Sequence, residues 1–128
     1  MYMLHSKPLS LPMGSHVKVT KFEGSKLHSP DTFRRLVGKL IYLTVTRPDI
    51  SFVIQVLSQF MHEPTEAHMA AAKHVLRYLN ATLTQGILLS NSSSLCLSGY
   101  CDSDWRSCCD SRKSTTSFCI LLGSSPIS

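Results

Sequence analysis

The amino-acid sequence predicts an α+β fold, in which a three-helix segment precedes a β-hairpin and an incomplete antiparallel sheet. Apolar residues recur at helical spacing between residues 29 and 82, and two proline-containing breaks divide that stretch. After Asn80 the pattern changes to short alternating runs bounded by turn residues. We therefore divide the chain into a basic, loop-rich leader (1–28), a helical segment (29–82) and a β segment (83–128).

Composition and length set the class of protein. The chain has 128 residues, 43% of them hydrophobic, which is enough for a core and excludes global disorder. That length suits one domain or a piece of a longer protein. No run approaches the roughly 18 apolar residues of a membrane span, and the first ten residues do not resemble a secretory signal. We expect an intracellular protein, cytoplasmic or nuclear, neither secreted nor membrane-bound.

Positive charge is concentrated in the first third. Eight basic and two acidic residues lie up to Arg47, whereas five basic and six acidic residues follow, for a net charge of +5. Two interpretations stay open at this point. One is a surface that meets phosphates, and the other is a solvated face that keeps the protein soluble.

The first helix is predicted to start at Ser29-Pro30-Asp31, with serine as the N-cap, proline at the first helical position and an acid in the first turn. Its apolar side comprises Phe33, Leu36, Val37, Leu40 and Ile41, with Arg34, Arg35 and Lys39 elsewhere on the helix.

Two further helices follow the breaks at Arg47-Pro48 and Glu63-Pro64. The second is apolar over most of its circumference, so we expect it to be the buried centre of its layer. Thr65 is placed to cap the third. The apolar stripe of the third helix comprises Met69, Ala72, Val75, Leu76 and Leu79.

In the β segment, residues 86–90 and 95–97 are predicted to form a hairpin through a four-residue connection, Asn91 to Ser94. The second strand continues toward Asp102, a polar loop covers residues 106–113, and residues 115–122 form another strand. We expect no further element in residues 123–128, so the last strand would leave an open edge.

Asp102 and Asp104 are the side chains most suggestive of chemistry. Two carboxylates two residues apart near the end of a strand lie on one side of it, which suits a divalent cation. The same Asp-Ser-Asp sequence is also typical of a solvated turn.

Cysteine and histidine spacing does not predict a metal site. The five cysteines include no two-residue-spaced pair, so reduced, partly buried thiols are expected. His68 and His74 are six residues apart and fall on different faces of a helix. Each is expected to be a surface histidine or one satisfied by a local hydrogen bond.

Several runs, in order, resemble the Pol polyprotein of copia-type retrotransposons across nearly the whole chain. The first runs resemble the end of its reverse transcriptase region, and the last two resemble the opening of its ribonuclease H domain. The matching runs are residues 33–50 (FRRLVGKLIYLTVTRPDI), 57–61 (LSQFM), 75–79 (VLRYL), 99–105 (GYCDSDW) and 112–115 (RKST). The sequence departs from the family pattern at Arg106-Ser107, Cys108-Cys109 and Ser117, where the family usually has Ala-Gly, an acid or Asn followed by Pro, and Gly.

The resemblance implies a ribonuclease H-like sheet in which Asp102 corresponds to the first metal-binding carboxylate. The parent family uses a carboxylate cluster and two Mg²⁺ ions for cleavage, and its polymerase motifs have no counterpart here. We therefore expect a fragment that is catalytically inactive alone and needs no cofactor, with Asp104 at most an auxiliary ligand to Asp102.

The resemblance also suggests partners. We expect non-specific binding to an RNA–DNA hybrid or other nucleic acid. The candidate binding residues are Arg34, Arg35, Lys39, Arg47, Arg112 and Lys113. The alternatives are residual magnesium-dependent ribonuclease H activity, or a domesticated interaction module that associates through an open strand edge.

Overall fold

The computed structural model describes residues 7–14, 24–91, 94–104 and 114–128. The chain forms two units, Met1–Gln85 and Gly86–Ser128. The first unit contains helices α1 (Pro30–Leu43), α2 (Ser51–Ser58) and α3 (Glu66–Ala81), with a short 3-10 turn at Pro48–Ile50. The second contains strands β1 (Leu97–Asp104), β2 (Thr115–Leu122) and β3 (Ser125–Pro126). The predicted α+β class, with three helices before a sheet, is confirmed.

The start of α1 follows its sequence. The helix begins at Pro30, whose fixed φ suits the first helical position, and Asp31 lies in the first turn. Ser29 has the extended backbone of an N-cap, but its side chain makes no capping hydrogen bond to α1, all of which is described. The predicted position of the cap is therefore confirmed, while the side-chain interaction expected there is wrong.

The three helices enclose one apolar core. Its members come from the predicted stripes of α1 and α3, from the 3-10 turn and from one side of α2, with Tyr78 added. The buried cluster consists of Phe33, Val37, Leu40, Ile50, Val53, Ile54, Leu57, Ala72, Val75 and Tyr78. Ile41, predicted to belong to the apolar side of α1, lies outside this cluster and is 44% exposed.

The prediction that α2 is the buried centre of its layer is wrong. Val53, Ile54 and Leu57 are buried, but Phe52 is 54% exposed and Gln55 is also exposed. The helix has only eight residues and packs against α1 and α3, so only one side of it can reach the core. The other side faces away from both neighbouring helices.

Thr65 and His68 together close the N-terminus of α3. The backbone N–H of Thr65 donates to Nδ1 of His68 at 2.9 Å, and its hydroxyl oxygen lies 3.0 Å from the same nitrogen. His68 thus takes the place that Glu or Gln has in a capping box. Its ring is fully buried and stacks on Phe60 with 4.1 Å between centroids. The predicted capping position of Thr65 is confirmed.

The described parts of the leader are fixed to α3. The N–H of Glu66 donates to the carbonyl of Ser25 (2.9 Å), and the N–H of Leu27 donates to the carbonyl of Pro64 (3.1 Å). Further along the helix, Arg77 Nε donates to the carbonyl of Lys7 at 2.9 Å. Nε2 of His74 hydrogen-bonds the carbonyl of Leu11 at 3.1 Å. His74, like His68, therefore makes a hydrogen bond within the helical unit.

The sheet is antiparallel in the order β1-β2-β3. β1 pairs with β2 over its whole length, from Leu97 opposite Leu122 to Asp104 opposite Thr115. The predicted strand at residues 115–122 is confirmed. The expectation of no further element in residues 123–128 is wrong, because a two-residue turn, with Gly123 at φ 60°, brings Ser125–Pro126 back beside the end of β2 as β3.

The predicted hairpin of residues 86–90 with 95–97 is wrong. Residues 86–90 have no regular structure, and Leu88, Leu89 and Leu95 are exposed. Of the predicted second strand only Leu97 belongs to β1, which pairs with β2 along one edge and with no described strand along the other. Ser90 is instead joined to β3, since its N–H donates to Oγ of Ser125 at 2.8 Å.

Both broad faces of the β1–β2 ribbon carry exposed side chains. Leu97 and Phe118 are exposed on one face, and Tyr100 and Cys119 on the other. The described thiols Cys96, Cys101 and Cys119 are free, as predicted, but they are exposed rather than partly buried. Within the described ranges, no helix has the length and apolar character that crossing a bilayer requires.

Candidate functional site

Asp102 lies near the end of β1, opposite Ser117 of β2. Its side chain is exposed, and Oδ1 accepts a hydrogen bond from the N–H of Ser103 at 3.0 Å. Asp104 is the last residue of the strand, two positions further along. The described part of its surroundings ends there, so Trp105 and the predicted loop of residues 106–113 lie outside the described residues.

The described surroundings of Asp102 do not fit a two-magnesium centre. The pairing places Tyr100, Ser117 and Cys119 on the same face as Asp102, so that, apart from Asp104, the strands supply hydroxyls and a thiol there rather than carboxylates. Among the described residues, no group of three or more His, Cys, Asp or Glu side chains could hold a metal ion. Hard divalent cations prefer several carboxylate and carbonyl oxygens, and the described residues around Asp102 and Asp104 supply too few of them for two ions.

Arg34, one of the candidate nucleic-acid-binding residues, is engaged within the helical unit. Its Nε donates to the carbonyl of Met61 at 2.9 Å, and Nη2 donates to the carbonyl of His62 at 3.2 Å. Nη1 also lies 3.2 Å from the carboxylate of Asp31, one turn earlier in α1. Its guanidinium thus ties α1 to the turn after α2.

Arg47, a second candidate, is 6% exposed and forms the centre of a polar network. Its guanidinium makes two hydrogen bonds to the Asp49 carboxylate, Nε to Oδ1 at 2.9 Å and Nη2 to Oδ2 at 2.7 Å. Nη1 donates to the carbonyl of Thr82 at 2.8 Å, and Nη2 reaches the hydroxyl of the same residue at 2.7 Å. The hydroxyl of Tyr78 donates to Asp49 Oδ2 at 2.7 Å.

The network shifts the titration of its members. The hydrogen bond from Arg47 lowers the pKa of Asp49 below its ordinary value of 3.8, against the effect of burial. The hydrogen bond to the Asp49 carboxylate, together with burial, raises the pKa of Tyr78. The network therefore keeps Asp49 charged and Tyr78 neutral, and it joins the segment after α1 to the end of α3.

Arg35 and Lys39 differ from these two arginines. Both are exposed on α1, four residues apart, and neither makes a hydrogen bond or ion pair to a described residue. Tyr42 continues the same side of the helix and is 86% exposed. We call Arg35, Lys39 and Tyr42 the outer face of α1. Arg112 and Lys113, the remaining candidates, lie outside the described residues.

Sequence reasoning missed three features of this unit. Tyr42 was not singled out, although its seven-residue separation from Arg35 would have placed the two on one helix side. His68 was predicted to be satisfied but not to be a core residue. The partners of Arg47 could be found from sequence only in part, because Asp49 is two residues away whereas Tyr78 and Thr82 are distant.

Comparison with known proteins finds close relatives over almost the entire chain. It is 44% identical over 126 residues to the retrovirus-related Pol polyprotein from transposon RE1 of Arabidopsis thaliana, which covers 98% of this chain and 9% of that protein. It is 43% identical over 126 residues to the uncharacterized mitochondrial protein AtMg00810 of the same plant, covering 98% of the chain and 52% of the relative.

A shorter relative is matched over most of its own length. The uncharacterized mitochondrial protein AtMg00240 of Arabidopsis thaliana is 46% identical over 82 residues, covering 64% of this chain and 74% of the relative. No protein-family model matches the chain, and no solved structure matches it significantly. The chain spans 9% of the length of the transposon RE1 Pol polyprotein. On these identities, the chain belongs to the family of retrovirus-related Pol polyproteins of transposons.

Proposed function

We propose that this chain is a remnant of a copia-type Pol polyprotein, spanning the end of the reverse transcriptase region and the opening strands of a ribonuclease H-like domain. We further propose that it binds nucleic acid without sequence preference and is catalytically inactive alone. The 44% identity to a transposon Pol polyprotein over 98% of the chain supports the origin. The antiparallel pairing of β1 with β2, with Asp102 near the strand end, is compatible with the ribonuclease H-like assignment.

The observation that carries the binding proposal is the outer face of α1. Arg35 and Lys39 are exposed there and are not engaged by any described side chain, in contrast to Arg34 and Arg47. Cations that make no internal contact can approach phosphates and release the counterions condensed on the nucleic acid, which drives non-specific association. The net charge of +5 adds long-range attraction to a polyanion. Arg34 and Arg47 are left out of the proposed surface because their guanidinium groups are already hydrogen-bonded.

Titration of an RNA–DNA hybrid tests this proposal. Fluorescence anisotropy of a labelled hybrid should show binding by the full chain that weakens at least about tenfold between 50 and 200 mM salt, as expected when a few phosphates are neutralised. Absent binding at the lower salt concentration, or affinity that does not depend on salt, would refute it.

The proposed lack of catalysis has a separate test. A lone carboxylate cannot fix two hard cations at about 3.5–4 Å separation, so we expect no cleavage of the hybrid in Mg²⁺ or Mn²⁺. Cleavage by the purified chain that disappears in the variant Asp102→Asn would contradict this proposal and favour residual ribonuclease H activity. Cleavage that persists in that variant would indicate a contaminating nuclease.

An interaction module is the second candidate, favoured by the edge of β1. β1 pairs with β2 on one side, and no described strand pairs with its other side. An unpaired strand edge is a template for another strand. A defined dimer on size-exclusion chromatography would support this candidate, and a monomer at all concentrations would exclude self-association.

A further inference from the structure

We propose that the outer face of α1 selects unpaired nucleotides: Tyr42 stacks on an exposed base, while Arg35 and Lys39 hold the neighbouring phosphates. This inference rests on the proposed function and adds to it the class of nucleic acid, single-stranded rather than duplex.

The spacing of the three residues is the first argument. At about 1.5 Å rise per residue, Arg35 and Lys39 lie about 6 Å apart along the helix axis, and Arg35 and Tyr42 about 10 Å apart. One strand rises about 3.4 Å per stacked nucleotide, so the face spans about three nucleotides. Residues separated by four and seven positions lie on the same side of a helix, so one strand can contact all three.

The exposure of Tyr42 is the second argument. Its side chain is 86% exposed, although the other tyrosine of the helical unit with a described side chain, Tyr78, is buried and hydrogen-bonded. An aromatic ring held on a helix beside two cations provides a stacking surface for any base, because every base has a π-face. A duplex keeps its bases stacked on one another, so the ring can contribute to binding only an unpaired strand.

Gly38 provides the third argument. It lies between Arg35 and Tyr42 on the same side of α1, and a Cβ added there would meet no atom within 4 Å. The glycine therefore does not make room for packing inside the protein. The open surface it leaves lets a sugar or base approach the helix closely between the two cations and the ring.

The charge of the outer face of α1 indicates which class of ligand binds there. The outer face carries two cations, and the nearest acid along α1, Asp31, is already paired with Arg34 at 3.2 Å. A polyanion with flat, unpaired bases matches both the cations and the ring. A protein partner is the competing occupant of this face, and single-strand binding that does not depend on Tyr42 would favour it.

Anisotropy titrations with a labelled single strand and a duplex of equal length test the inference. Replacing Tyr42 with leucine should weaken single-strand binding by about 5- to 100-fold, the range expected for loss of one base–aromatic contact, and change duplex binding less than twofold. The variant Tyr42→Trp should restore single-strand binding. Phe52→Leu is the matched control, because Phe52 is also an exposed aromatic, 54%, but lacks the cations that precede Tyr42 by three and seven residues.

The outcomes separate the inference from the proposed function. Salt-dependent binding by the wild-type chain with no single-strand loss in Tyr42→Leu would overturn this inference alone. Equal losses for single strand and duplex, or an equal loss in Phe52→Leu, would also overturn it. Absence of any binding by the wild-type chain would overturn the proposed function and this inference together. Circular dichroism should show unchanged helix content in both leucine variants, since both side chains are exposed.

Discussion

Asp49 is the residue on which the polar network of the helical unit depends. It accepts two hydrogen bonds from Arg47 and one from Tyr78, and the guanidinium it neutralises is nearly buried, at 7% side-chain exposure. Removing one partner of such a pair leaves the other charge uncompensated in a low-dielectric site, which costs more than the pair itself contributes. A substitution of Asp49 alone therefore tests how much the network stabilises the folded protein.

We expect Asp49→Asn to lower the free energy of unfolding by about 2 kcal/mol at pH 7, less than for a fully buried pair because Asp49 is 34% exposed. Since the pKa of Asp49 is lowered on folding, its contribution is fully present above about pH 3.8 and is lost as pH falls through the lower folded value. Urea denaturation of the wild-type chain and of Asp49→Asn should show a difference in the free energy of unfolding that narrows below about pH 4. A gap independent of pH would contradict the assignment.

His68 supports a second prediction. Its ring is buried, stacks on Phe60 and accepts the N–H of Thr65 through Nδ1, so Nδ1 carries no proton in this arrangement. His68→Ala leaves a cavity and an unsatisfied N–H, and should destabilise the protein by about 2–4 kcal/mol in chemical denaturation. His74→Ala removes a part-exposed ring with one described hydrogen bond, and should cost less than about 1 kcal/mol. Equal effects would contradict the buried role of His68.

At the scale of elements, two glycines should respond oppositely to alanine. Gly24 has φ +85°, and a Cβ there would lie 3.3 Å from the backbone nitrogen of Ala67. Gly24→Ala should therefore destabilise the contact between leader and α3 by about 1–2 kcal/mol. Gly38 lies inside α1 with open space around it, so Gly38→Ala should stabilise the protein by about 0.5–1 kcal/mol. Thermal midpoints that shift in the same direction would refute this account.

The helices could be predicted from local sequence because their signals are local. Pro30 begins α1, Thr65 precedes α3, and Pro48 separates α1 from α2, all in agreement with backbone chemistry. The exposed side of α2 could not be predicted, because it depends on which neighbours the short helix meets. Phe52 is apolar in the sequence and exposed in the fold.

Strand pairing was the least predictable part, because it depends on residues far apart in sequence. The run Ile87-Leu88-Leu89 has the apolar character of a strand, and such short runs do not determine their structure by periodicity alone. β1 pairs with the distant β2 over eight residues, and Gly123 allows β3 to fold back. Asp102 was placed correctly on a strand. The residues opposite it on β2 could not be predicted, because they depend on the register of the β1–β2 pairing.

At the scale of the whole molecule, the two units differ in how far they bury their apolar side chains. All the buried core residues of the cluster lie in the unit Met1–Gln85, while the second unit, Gly86–Ser128, presents exposed apolar residues on both faces of its ribbon. Of the four candidate binding residues with described side chains, Arg34 and Arg47 make internal contacts and Arg35 and Lys39 do not. The structure thus divides candidates that are equivalent in the sequence.

The central claim is that Arg35 and Lys39 form the nucleic-acid-binding surface. Its most direct test is the dependence of hybrid affinity on salt in the double variant Arg35→Gln/Lys39→Gln, compared with Lys7→Gln/Lys73→Gln, which removes two other exposed positive charges. The account predicts that the slope of log K against log salt falls in magnitude by about 1.8 in the first variant, for two lost phosphate contacts, and changes little in the second. Equal slopes in the two variants would contradict it.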